Sequence, residues 1–296
     1  MFSEIKNILL PVSHSDDLNT VASVALNFAQ RFHAHLSTVI IEADPSEIAA
    51  FASENVSANL VSDIIDSAES EAQECILKIR QNFNKFITTH NVKYIPSSAV
   101  GRERNQDDAI TISLEALDSS EENALTWHSR LADMTLVPNL ITSSNPRSSE
   151  ILHAILFDSG RPLLIAPPQT PQSIGNRVAI GWNGTAEAAL ALRSILPWAK
   201  TAEAVQVFVN DEYQRSGPSG ESVIRYLQMH NISASLKTFG NVDGKVGIGL
   251  LRAAEEFGAD LLGMAAYSQS RLRQMFLGGV TRDILENMNM TVLMSR

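Results

Sequence analysis

Residues 261–285 read LLGMAAYSQSRLRQMFLGGVTRDIL. An apolar run ends at Met264. Small and polar residues follow, among them Ala265 and Ser268, and Gly278-Gly279-Val280-Thr281 then opens a helix-like pattern. A strand, a loop and a helix start in this order can hold a phosphate, because the first N–H groups of a helix lack intrahelical acceptors and its dipole favours an anion. Glycines serve such a loop by letting the backbone come close and take positive φ. Two positions where glycine is expected read Ala265 and Ser268. An alanine forced to positive φ costs about 1 kcal/mol or more, whereas a site that needs only a small residue tolerates it, and the Ser268 hydroxyl can donate to a phosphate. Arg271, Arg273 and Arg282 lie in or beside the stretch. One of them placed at a polyphosphate tail is the functional reading; solvation, or pairing with Asp283 and Glu286, is the plainer one.

The elements that must position these residues are legible from periodicity. In the second half, apolar runs predict strands at 177–182, 204–209, 234–239, 261–264 and 291–294. Helical spacing predicts helices near 186–199, 220–230, 246–257 and 280–287. Strict alternation predicts a parallel sheet with helices on both faces and right-handed crossovers. The first half repeats the plan. KNILLPVSHSDDLNTVASVALNFAQRF from Lys6 resembles NRVAIGWNGTAEAALALRSILPWAK from Asn176; RLADMTLVPN from Arg130 resembles FGADLLGMAA from Phe257; and RPLLIAPP from Arg161 answers MTVLMSR from Met290. The chain is therefore a tandem duplication. Its linker is APPQTPQSIGN, residues 166–176, which lacks periodicity. The halves are expected at 1–168 and 176–296. The first carries an insertion at 46–90, in which Ile64, Ile65, Ala68, Ala72, Ile76, Ile79 and Phe83 recur at helical steps, predicting one or two long helices that cover the sheet edge or a partner. Residues 109–118 are the third strand of that half.

Composition narrows the function classes. Across 296 residues, 44% hydrophobic content supports a packed core, and the net charge of -10 argues against broad binding of nucleic acid or anionic membranes. Cys75 is the single cysteine, which excludes an intramolecular disulfide and fits a reducing compartment. The opening MFSEIKNILLPVS lacks a signal-peptide pattern, and no apolar run reaches bilayer-spanning length; a cytoplasmic protein is expected. The seven histidines, His33-x-His35 among them, have no partners at metal-ligand spacing, and no metal is expected. No Gly-x-Ser-x-Gly elbow is present, and no catalytic residue is assigned. The glycine spacing in FGNVDGKVGIGLL, residues 239–251, tempts toward a dinucleotide fingerprint. It follows a third strand, however, and reads better as a turn and helix start, with Gly240 able to approach a ligand.

The repeated α/β unit and the block AYSQSRLRQMFLGGVTRDIL resemble the universal stress protein family in its tandem two-domain form. The resemblance implies two open parallel five-stranded sheets of order 3-2-1-4-5 with helices on both faces, the adenine nucleotide alpha hydrolase-like fold. It also implies a crevice between the first and fourth strands, as expected where strand order reverses. Nucleotide-binding members carry Gly-x2-Gly-x9-Gly-Ser/Thr; here the frame is Ala265-x2-Ser268-x9-Gly278-Gly279. Asn183 stands where members carry an Asp facing the ribose, and Gly279 stands for the Ser/Thr, with Thr281 two residues on. The resemblance thus implies a site of Asn183, Gly240, Met264, Ala265, Ser268, Gly278, Gly279, Val280 and Thr281 for ATP or AMP. In the first half Ser13 takes the Asp-like position, and no glycine lies between Leu136 and Ser159; that half is expected to supply a pseudo-symmetric partner surface. The implied function is that of a stress-response regulator whose bound nucleotide changes a surface seen by a protein partner. The alternative is a nucleotide-free scaffold of the same fold, and slow ATP hydrolysis ranks third. Since members pair through their last strands, 163–166 and 291–294 are the candidate edges for a pseudo-dimer within the chain, and a homodimer of chains is a further expectation.

Overall fold

The computed structural model describes residues 5–13, 18–41, 58–104, 110–117, 123–139, 148–266 and 279–296. Strands β1 (Asn7–Val12), β2 (His35–Ile40), β3 (Lys93–Tyr94), β4 (Thr111–Ala116), β5 (Met134–Val137) and β6 (Leu163–Ile165) belong to the first half. Strands β7 (Arg177–Trp182), β8 (Ala204–Val209), β9 (Ser235–Thr238), β10 (Leu261–Ala265) and β11 (Thr291–Ser295) belong to the second. The helices are α1 (Leu18–Phe32), α2 (Ala58–His90), α3 (Val100–Glu103), α4 (Ala124–Arg130), α5 (Ser148–Asp158), α6 (Ala186–Ala199), α7 (Gly220–Met229), α8 (Val246–Phe257) and α9 (Gly279–Asn287).

The second half has the order β9-β8-β7-β10-β11, which is 3-2-1-4-5. The first repeats it as β4-β2-β1-β5-β6 and adds the two-residue β3 beyond β4. The two five-stranded sheets meet through the edges expected at 163–166 and 291–294, and with the added β3 they form one sheet, β3-β4-β2-β1-β5-β6-β11-β10-β7-β8-β9. Neighbours pair in parallel except at the junction, where Leu163, Leu164 and Ile165 run antiparallel to Met294, Leu293 and Val292. The reason is physical. β6 and β11 are buried on both faces, so an unpaired edge on either would leave dry N–H and C=O groups. Each strand satisfies the other.

RLADMTLVPN and FGADLLGMAA share an Ala-Asp pair, Ala132-Asp133 and Ala259-Asp260, whose aspartates do the same job. The Asp133 carboxylate accepts from the backbone N–H of Lys6 (2.6 Å) and Asn7 (2.9 Å). Asp260 accepts from those of Asn176 (3.1 Å) and Arg177 (2.9 Å). Each ties the start of a fourth strand to the start of a first strand.

Helices also join the halves. Trp198 on α6 is fully buried, with Phe28 and Phe32 of α1 edge-on to it at ring centroid distances of 5.7 and 5.0 Å. Such pairs contribute about 0.5–1.5 kcal/mol each beyond their buried area. Beside them the Arg31 guanidinium donates to Ile174 O (2.7 Å), Thr201 O (3.1 Å) and Thr201 Oγ1 (2.7 Å), fastening α1 to the linker and the end of α6. Gly175 has φ +75°, and a Cβ there would lie 2.5 Å from the Trp198 ring, so only glycine fits.

The insertion is one 33-residue helix over the part described, α2. Ile79, Phe83 and Phe86 are buried and continue the sequence-predicted stripe into the core around α1. Residues 46–57 of the expected insertion, and the side chains of Ile64 and Ala68, lie outside the described residues.

Candidate functional site

The ladder between β7 and β10 ends at Ile180–Gly263. Beyond it β7 stays paired with β8 as far as Trp182–Val209, and β10 with β11 as far as Ala265–Ser295. The two central strands therefore part at their carboxyl ends while their outer neighbours hold them. This is the crevice expected at a reversal of strand order. The β1–β5 ladder of the first half likewise stops at Leu9–Thr135.

Asn183 follows β7. Its Oδ1 accepts from the Thr185 N–H (3.2 Å) and hydroxyl (3.0 Å), and Thr185 Oγ1 in turn caps α6 by accepting from the Ala188 N–H (3.2 Å). The Asn183 side chain thus sets the start of α6, an Asx-type turn. Gly184 has φ +87°, and a Cβ on Gly217 would sit 2.1 Å from Gly184 O. The segment between β8 and α7 therefore lies directly on this turn. It is held there by Arg215 N–H to Asn183 O (2.8 Å) and Trp182 Nε1–H to Pro218 O (2.8 Å). Buried Asn210 organises the same segment: its Oδ1 accepts from the N–H of Glu212 (3.0 Å) and Tyr213 (3.1 Å), and its Nδ2 donates to Asn241 Oδ1 (2.9 Å). Sequence reasoning missed this cover. Its signal was the Gly184 and Gly217 pair, whose meaning depends on a contact distant in sequence.

The remaining expected site residues divide by role. Met264 is buried among the residues that α8 covers, whereas Ala265 is half-buried at the strand end. Gly279 opens α9 at the surface, and a Cβ added to it would meet no atom of the described residues within 4 Å. Val280 is half-buried and Thr281 buried, so both also serve packing. Ser268, Gly278, Arg271 and Arg273 lie outside the described residues. Arg282 takes its plainer reading: its Nε donates to Glu286 Oε1 at 2.7 Å, and that bond, with the nearby Asp283, holds the guanidinium pKa above its ordinary value.

The tempting glycine run is a packing device. Asp243 and Gly244, at φ 51° and 73°, make the turn of a small bridge between Val242 and Lys245. A Cβ on Gly249 would lie 2.2 Å from Gly240 O, and one on Gly247 2.6 Å from Asp283 Cβ and 2.8 Å from Val280 O. Gly240 itself is exposed. Lys245 Nζ lies 3.5 Å from Asp283 Oδ1, joining the starts of α8 and α9.

In the first half, Ser13 at the Asp-like position is buried, and Asn139 Nδ2 donates to Leu285 O (2.7 Å), the end of α9. The region corresponding to the second-half crevice thus contacts the other half. Of the paired histidines, His33 ends α1 at φ 51°, while His35 sits buried between the Thr111 and Ser113 hydroxyls. No helix among the described residues is long and apolar enough to cross a membrane.

Residues 178–296 match the model of the Universal stress protein family. The whole chain resembles a universal stress protein from Archaeoglobus fulgidus (14% identity, TM-score 0.62, 98% of this chain and 96% of that one). It also resembles a putative universal stress protein from Pseudomonas aeruginosa (13% identity, TM-score 0.54, 99% and 94%). At such identities the likeness establishes the shared fold, and it runs through both halves. No curated protein sequence matches significantly.

Proposed function

We propose, from the universal stress protein domain that residues 178–296 form, that the chain binds an adenine nucleotide, ATP or AMP, in the crevice between β7 and β10. We further propose that it acts without turnover, as a cytoplasmic stress-response regulator. The observation that carries this reading is the parting of β7 and β10 at a point where Asn183 follows one strand and Ala265 ends the other, with α9 starting at Gly279, which no described residue obstructs. A helix N-terminus beside such a gap suits phosphate. Asn183 offers an amide for a ribose hydroxyl in place of a charged carboxylate. Binding would act by favouring one arrangement of the cover over the crevice, a surface a protein partner can read.

Gly279→Glu is the test. A carboxylate in the first turn favours the helix by about 0.3–1 kcal/mol and enters open space, so the fold is kept, while the charge repels phosphate. Thermal shift and calorimetry should show the unaltered chain stabilised by millimolar ATP or AMP, with affinity falling about tenfold or more in the variant. An unaltered chain that neither nucleotide stabilises would sink the reading in favour of a nucleotide-free scaffold. The commitment of Asn183, Met264, Val280 and Thr281 to the turn and the core favours that second reading.

A further inference from the structure

The halves treat one face of the sheet differently. In the second half, α8 closes it: Phe257 packs edge-on to Phe208 at 6.2 Å. The Arg177 guanidinium lies over the Phe257 ring at 4.4 Å and donates to Phe257 O. The repeat puts Asn7 where the second half has Arg177, Val39 where it has Phe208, and Arg130 where it has Phe257. Arg130 turns outward and donates to Asp158 O (3.0 Å). α4 has seven residues against the twelve of α8. On the matching face of the first half lies a cavity of about 450 Å³, with Val39, the counterpart of Phe208, in its lining.

The cavity is polar. Its buried floor includes His35, Ser113 and Val39, and its rim includes exposed Lys6, Gly101 and Glu115. The His35 ring is fixed by Thr111 Oγ1 at 2.8 Å and Ser113 Oγ at 3.0 Å. Burial, with the charge of Arg104, lowers its pKa to about 4, so at neutral pH it is an uncharged donor and acceptor. Ser37 Oγ donates to Asn7 Oδ1 at 2.7 Å. Among the described lining residues Lys6 and Arg104 outnumber Glu115 by one charge, and an Arg104 Nη donates to His33 O. The Arg104 Nε–H is buried without an acceptor among the described residues. A recess of this size lined with fixed hydroxyls holds water or a polar ligand, and the unbalanced cations select an anion.

We propose that this cavity binds a small hydroxylated oxyanion, a sugar phosphate or a sugar acid, with its anionic group toward Lys6 and Arg104 and its hydroxyls on Ser37, Ser113 and His35. The site is distinct from the β7–β10 crevice and does not depend on the nucleotide reading. The test is calorimetry and saturation-transfer NMR on the full chain with glucose 6-phosphate, gluconate and uncharged glucose. At least one charged sugar should bind about tenfold or more tightly than glucose, and which one binds tells phosphate from carboxylate. Lys6→Met, which alters only an exposed side chain, should weaken that binding about fivefold. Val39→Phe, which restores the filling of the second half, should abolish it, and Gly279→Glu should leave it unchanged. Failure of both charged sugars, equal binding of glucose, or binding indifferent to Lys6→Met would overturn the proposal. Should Val39→Phe not fold by circular dichroism, Lys6→Met decides.

Discussion

At the scale of single residues, the buried histidine makes the clearest claim about pH. His35 has its pKa lowered from 6.5 to about 4, first by burial and then by Arg104, with Lys6, Glu115 and His128 also around the cavity. The unfolded chain therefore takes up a proton below its ordinary pKa while the folded chain resists it. This contribution to stability is complete above pH 6.5 and is lost as pH falls toward 4, by at most about 3 kcal/mol. His35→Gln keeps partners for both hydroxyls but does not titrate. Urea unfolding at about pH 7.5 and about pH 5 should show a smaller loss of stability in the variant than in the unaltered chain; equal losses would refute the assignment. A second residue-scale claim concerns the cover over Asn183. Gly217→Ala places a methyl where Gly184 O already stands, so the segment must lift. The cost should be about 1–3 kcal/mol, with faster hydrogen exchange at the Arg215 amide, whose bond to Asn183 O would be lost.

At the scale of elements, α8 and α9 meet through a missing side chain. Gly247→Ala improves intrinsic helix propensity by about 1 kcal/mol, yet its Cβ would overlap Asp283 and Val280 O. The net effect should be destabilising by about 1–2 kcal/mol, read from the thermal midpoint; a stabilised variant would show that α9 is free to move. Such contacts explain what the sequence disclosed. Strands β7 and β8 and helices α6 and α8 follow the periodicity residue for residue, because a doubly covered parallel strand is an apolar run and its helices carry an apolar stripe. β3 was illegible: Lys93 and Tyr94 are both exposed and pair only at an edge, so no pattern marks them. The joining of β6 to β11 came from family resemblance, since two buried edges look alike in sequence whether they meet each other or another chain. At the site, the strand ends and the start of α9 were legible. The cover from residues 211–218 and the first-half cavity were not, because each depends on which side chain fills a space across the fold.

At the scale of the molecule, a sheet that runs through both halves makes them one folding unit. The main core cluster holds Ile8, Phe28 and Leu36 together with Val178, Leu196 and Trp198, and the antiparallel junction leaves neither half a free last strand. Separating the halves would expose Trp198 against α1 and strip the partners from Arg31. Urea unfolding should therefore be a single transition, the same for both halves. The tryptophans supply the probes. Trp127 is half exposed (49%) in the first half and Trp182 buried (6%) in the second, and Trp198→Ala leaves each as its half's only reporter once the other is replaced by Phe. Trp198→Ala removes the ring that Phe28 and Phe32 contact, and should cost about 3–5 kcal/mol. If the halves are coupled as the shared core implies, the Trp127 and Trp182 signals move to lower urea together. Fluorescence and circular dichroism midpoints that fail to coincide in the unaltered chain, which retains Trp198, would mean that the shared sheet does not bind the halves into one cooperative unit.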